Sequence, residues 1–266
     1  MVYFEGRDET RVRAPRGSFR TSPIFIGLVV MFAIFSVLAW TGRGSAGVNV
    51  FFMVVSGWVI SLCLHEFAHA LVAYRSGDIG VAQRGYLQLN PLKYAHWLLS
   101  IALPILFIIA GGIALPGGAV LIDHQYIRDR RKESAISLAG PGVNLLITAV
   151  LVAPFAAGAN IFLHPVFWSG LAYLAFFQLM AAIFNLLPIP GLDGGNAVLP
   201  WLSREWQRGF NAVRPYGLLI VFLILWQTHL GQTLVNDMAR ILVNTGGQDM
   251  GAAIYNGQTL FRFWEH

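Results

Sequence analysis

Apolar side chains run almost unbroken along six stretches of this sequence, at about residues 24–40, 48–73, 97–122, 135–157, 166–187 and 216–230. A bilayer core ~30 Å thick is crossed by about 20 helical residues, and inside it every backbone N–H and C=O must be satisfied by the segment itself. Runs of this length therefore become helices. Composition agrees: with 56% hydrophobic and 12% charged residues, too few polar side chains remain to clothe a water-soluble domain. The expected fold class is an all-α polytopic membrane protein of about five to six transmembrane helices, with the lipid bilayer as its first partner. Net charge is +5, which reads as loop arginines that orient the spans; a nucleic-acid partner is not expected. Cys63, the single cysteine, excludes an internal disulfide and a cysteine-only metal site.

Residues 97–122 pose a parity problem, because Pro104, Gly111-Gly112 and Pro116-Gly117-Gly118 break or bend a helix. If this stretch returns to the side it entered, fifteen of the 18 Lys and Arg share one side, leaving Arg43, Arg240 and Arg262 opposite. If it spans, the split falls to ten against eight. The bias of positive loops toward the cytosol favours a re-entrant segment. The expectation is a multi-pass protein of the cell membrane with a cytosolic N-terminus. Residues 1–23 form a basic arm, 24–230 the membrane-embedded domain, and 231–266 a tail that is an interfacial helix or part of a further crossing.

Ionisable groups within apolar spans are expensive and mark function. Glu66 belongs to His65-Glu66-Phe67-Ala68-His69, an HExxH pattern late in the second run. Four residues of α-helix bring His65 and His69 about 40° apart on one face, one turn above the other. Two such imidazoles can hold one zinc ion, with Glu66 placed to take a proton from the attacking water. The bland reading is a polar helix patch paired with its neighbours, and twenty-odd apolar residues around three ionisable groups count against it.

Two histidines and a water leave a tetrahedral zinc one protein ligand short. Asp193 lies in Asn185-Leu-Leu-Pro188-Ile-Pro190-Gly191-Leu192-Asp193-Gly194-Gly195, where prolines and glycines unwind the fifth run. With 97–122 re-entrant, Asp193 finishes on the side toward which His65 and His69 lie. Read alone, this segment fits a helix end with a solvated aspartate equally well.

Together, HEFAH at 65–69, Gly140-Pro141-Gly142-Val143-Asn144 and Asn185-x-x-Pro188-x-x-x-Leu192-Asp193-Gly194 resemble, in order, the motifs of the site-2 protease family of intramembrane zinc metalloproteases. The resemblance covers roughly residues 50–200. It implies His65, His69 and Asp193 as ligands of one Zn2+, Glu66 as catalytic base, and substrate-aligning or transition-state roles for Asn144 and Asn185. The substrate class it implies is a transmembrane protein, cut in or near its membrane segment. Gly77-Asp78 and Leu87-Gln88-Leu89-Asn90-Pro91-Leu92-Lys93 are similar to a compact prokaryotic branch without PDZ or CBS domains. The chain departs from that branch at Tyr94-Ala95-His96, where a histidine–aspartate pair is usual.

A membrane helix must unwind before its peptide bonds can be attacked. Residues 81–89, with Tyr86-Leu87-Gln88-Leu89 between Gly85 and Pro91, suggest a short strand-like loop able to pair with unwound substrate; an ordinary interfacial loop is the alternative. His96, His124, His164 and His229 sit near run ends and read as interface residues, as do Trp40, Trp97 and Trp226. A metal transporter using the same ligands would need a polar path across the bilayer, and the outer halves of the runs offer almost no ionisable residues. A proteolytically silent relative would have no need to keep Glu66.

Overall fold

The computed structural model describes residues 18–94, 121–127, 129–217, 220, 223 and 230–265. Among them, four helices are long and apolar enough to cross a membrane: α1 (Pro23–Thr41), α2 (Ala46–Ser76), α4 (Arg130–Ala156) and α5 (Pro165–Leu186). The one-turn helix α3 (Gly80–Gln83) lies between α2 and α4, and the short helix α6 (Asp193–Val198) follows α5. Next come α7 (Arg204–Val213), α8 (Leu230–Gly246) and α9 (Gln248–Phe261). No strand occurs among the described residues.

Local signals set the ends of the spans. Ser22 caps α1 by accepting from the Ile24 N–H, and Gly42 ends it in the left-handed conformation. Asp129 caps α4 through the Arg131 N–H. Three residues separate α1 from the Ser45 cap of α2, so the two helices are antiparallel neighbours. α1 buries only Ala39 and exposes Ile24, Ile26, Val29, Val30, Ile34 and Val37, a surface suited to lipid rather than water. α2 and α5 form the centre. Val50, Met53, Ala172, Phe177 and Ala182 are sealed there, and the tail joins them through Phe261, which packs on Phe51 and Tyr173. Met238 and Leu242 of α8 and Met250 of α9 are also buried, so residues 230–265 pack as two helices on the bundle.

One end of the bundle gathers the ends that matter. The Ser22 N–H donates to the Gln88 carbonyl, tying the start of α1 to the chain beyond α2. The Asp78 carboxylate accepts from the Asp123 N–H at 2.8 Å, and Arg84 donates to the Leu121 carbonyl at 2.7 Å. The chain thus passes into and out of residues 95–120 at the same end. The expected re-entrant segment itself, most of the sixth apolar run, Trp97, Trp226, His96 and His229 lie outside the described residues, as does the basic arm before Ser18.

The strand-like reading of residues 81–89 is corrected by the structure. The stretch folds as α3 and a 3-10 turn at Tyr86–Gln88, with Leu89 at φ 51°. Val81, Tyr86 and Leu87 turn inward and are buried, while the backbone closes its own short-range hydrogen bonds. Loose alternation of apolar residues fits a compact turn packed on α2 as well as it fits a strand, and tertiary burial chose the turn.

Candidate metal centre

α2 presents His65 and His69 one turn apart toward α4 and the start of α6, and both are buried. α5 ends at Leu186, the backbone leaves helical geometry through Pro188, Pro190 and Gly191, and Asp193 opens α6. That turn is tight: a Cβ on Gly194 would stand 2.2 Å from the Leu186 carbonyl oxygen, and one on Gly195 2.1 Å from that of Ile189. Ser134 near the start of α4 donates to the Ala197 carbonyl at 2.6 Å and accepts from Trp201 Nε1 at 2.8 Å, pinning α6 to the bundle.

Three atoms meet as a result. His65 Nε2 and His69 Nε2 are 3.0 Å apart, and Asp193 Oδ2 lies 3.2 and 3.3 Å from them. A tetrahedral zinc with ~2.0–2.1 Å bonds to nitrogen and oxygen has edges of about 3.3 Å between its ligands. The triangle therefore has the size of one face of that tetrahedron.

The protonation pattern points the same way. His69 Nδ1 faces the Ile136 carbonyl at 2.6 Å, and His65 Nδ1 faces Asn144 Oδ1 at 3.2 Å. Both partners are acceptors, so each Nδ1 carries the hydrogen and each Nε2 turns a lone pair inward. Asp193 Oδ2 is buried without a hydrogen-bond partner among the described residues. Two lone pairs and a carboxylate oxygen converging at these distances repel one another unless a cation lies among them; the donor set fits a zinc ion.

Glu66 is on the neighbouring face of α2, buried, with Oε2 unpartnered among the described residues, in electrostatic reach of His65, His69 and Asp193. The Asp193 side chain is 19% exposed against 5% and 7% for the histidines, so the centre is most open on its carboxylate side. Asn144 is brought to the centre. Asn185 is buried on the last turn of α5, and its side chain makes no hydrogen bond to a described residue. Cys63 is buried as expected of a small apolar residue, and its carbonyl accepts from the Tyr94 hydroxyl at 3.0 Å. His164 stays away from the centre, stacked on Trp40 at 3.6 Å at the opposite end of the spans.

Two contributors escape a reading of side-chain chemistry. Gly140 lies against the triangle: a Cβ there would stand 2.3 Å from His69 Nε2 and 2.5 Å from His65 Nε2. Asp78 is fully buried, 3.2 Å from Arg84, and accepts from the Asp123 N–H, so it joins the turn after α2 to the chain at residue 123. Gly140-Pro141 and Gly77-Asp78 both stand in motifs of the sequence, but neither motif states the contact its residue makes.

A bundle of long apolar helices around a two-histidine, one-carboxylate donor set defines a membrane metalloprotein. Comparison with known proteins sharpens that class. The chain is 43% identical over 266 residues to a Mycolicibacterium smegmatis protein named "Putative zinc metalloprotease Rip2", covering 95% of this chain and 98% of the relative. It is 43% identical over 255 residues to the Mycobacterium tuberculosis protein of the same name, covering 94% and 96%. Bacillus subtilis YwhC, also named as a zinc metalloprotease, is 31% identical over 196 residues, covering 68% of this chain and 82% of its own. No protein-family model and no solved structure matches. The chain belongs to the site-2 protease family of zinc metalloproteases.

Proposed function

We propose that this protein is an intramembrane zinc endopeptidase, cutting a peptide bond in or near a transmembrane segment of a substrate protein at the cytosolic end of its bundle. The observation that carries the reading is the 3.0–3.3 Å triangle of His65, His69 and Asp193 held among membrane-length helices. Zinc bound by these three residues supplies a Lewis acid that acidifies water and polarises a carbonyl. Glu66 Oε2, buried and unpartnered, takes the proton of the attacking water and passes it to the leaving amide nitrogen. Asn144 Oδ1 fixes the tautomer of His65, which leaves the Asn144 amide N–H groups to donate to the substrate carbonyl as negative charge develops on it. Buried Asn185, one turn before the Pro188 break, is suited to aligning an unwound substrate backbone.

Charge supports the orientation. Arg20, Arg75, Arg84, Lys93, Arg130, Arg131 and Lys132 flank the helix ends beside the centre, whereas Arg43 and Arg262 flank the other end. A reporter inserted at exposed Gln125 is therefore expected in the cytosol of the producing cell; finding it outside would reverse the orientation.

The decisive experiment reconstitutes the full chain in vesicles with a tagged single-span substrate. Wild type is expected to cut it, Glu66→Gln to retain about one zinc per chain without cutting, and Asp193→Ala to lose zinc. Cleavage surviving in Glu66→Gln removes the general base, and undiminished zinc affinity in Asp193→Ala removes the third ligand.

A further inference from the structure

Beyond the metal ligands the chain forms α7, a ten-residue helix that buries none of its residues fully. Its apolar positions recur as Trp206, Phe210 and Val213, an i, i+4, i+7 stripe, while Arg204, Arg208 and Asn211 occupy the same spacing on another face. Trp206 is 72% exposed, and nearby Trp201 and Tyr216 are exposed as well. Arg214 follows the helix, and Glu205 is the one acid between Ser203 and Tyr216.

This helix also touches the turn that carries Asp193. The Phe210 ring packs at Gly195, 3.0 Å from where a Cβ would stand, two residues after Asp193. The Arg214 carbonyl closes on Gly191, 2.7 Å from its Cβ position, two residues before Asp193. The two flanks of the turn that carries Asp193 are thus held by α7 and by Arg214, the residue that follows it.

We propose that α7 docks on the anionic phospholipid headgroups of the membrane the protein spans, with Arg204 and Arg208 engaging the phosphates and Trp206 entering the interface. Seating of the helix fixes the Asp193 turn through Phe210 and Arg214. The occupant follows from charge complementarity and position. Arginines on one face and an exposed tryptophan on the other, beside the ends of spanning helices, match a negatively charged interface. The effect on turnover rests on the protease reading; the docking does not.

The test uses the full-length, zinc-loaded protein in vesicles of phosphatidylcholine alone, or with about 30 mol% phosphatidylglycerol. Quenching by brominated phosphatidylcholine is measured on wild type and Trp206→Phe, the difference reporting Trp206. The Trp206 signal is expected to be quenched more strongly in the anionic vesicles. Arg204→Gln/Arg208→Gln should abolish that gain, and Arg204→Lys/Arg208→Lys should largely keep it. Substrate cleavage should be about fivefold faster in anionic vesicles at low salt and lose that advantage at high salt. Equal quenching and equal cleavage in both vesicles would overturn the proposal, as would rescue in pure phosphatidylcholine by a soluble protein to which phosphatidylglycerol adds nothing. If no vesicle supports cleavage, the protease reading fails, and the quenching arm still decides the docking.

Discussion

Replacing Gly140 by alanine tests the centre without touching a ligand. The added methyl would stand 2.3 Å from His69 Nε2 and 2.5 Å from His65 Nε2, whereas ordinary contact begins near 3.4 Å. Either both nitrogens retreat by roughly 1 Å, or α4 backs away from α2. Zinc–ligand distances tolerate only about 0.2 Å, so the first response breaks coordination. The second unpacks one of the main helix interfaces, where overpacking costs about 1–3 kcal/mol. Zinc affinity should fall by more than about 100-fold, beyond the usual effect of losing an outer partner of a ligand. Gly142 is the internal control. It lies two residues further along the same helix, and a Cβ there meets nothing within 4 Å. Gly142→Ala should therefore keep zinc and activity and change stability by no more than about 1 kcal/mol. Metal content by mass spectrometry, chelator competition and cleavage in vesicles read all three states. A Gly140→Ala protein with wild-type zinc affinity and turnover would refute the placement of α4 against the histidines.

Other consequences are equally direct. Asn144→Leu removes the acceptor for His65 Nδ1, and zinc affinity measured by competition should drop about 10–100-fold with the fold retained. Asp78→Ala removes a buried carboxylate bound to Arg84 and to the Asp123 N–H; denaturation in detergent should show a loss of about 1–3 kcal/mol, with stoichiometric zinc still bound. Ser134→Ala deletes the link from α4 to the Ala197 carbonyl and to Trp201, so turnover should fall more than the affinity for zinc does.

Much of this protein was legible in one dimension because the bilayer forces it to be. Where water is absent, a long apolar run has to be a helix, and its ends are marked by residues such as Ser22, Gly42 and Asp129. His65 and His69 were legible for a related reason, since a helix converts a spacing of four into adjacency. Asp193 was nameable from its motif, and the structure added what a motif lacks: an oxygen 3.2 and 3.3 Å from two nitrogens that belong to a different helix. Residues 81–89 show the limit in the other direction. Their pattern admitted strand or turn, and the outcome depended on Tyr86 and Leu87 finding cover beneath α2.

Periodicity and the insolubility of bare backbone in lipid settled the class, four of the membrane-length helices and the adjacency of His65 and His69 before any folding was considered. Only the folded bundle decided that Gly140 must lack a side chain, that Asn144 serves His65 rather than standing free, and that Asp78 joins Arg84 to the backbone at Asp123. Those facts are distances between atoms remote along the chain, set by how α2, α4 and α5 pack. No local run of residues encodes such a distance.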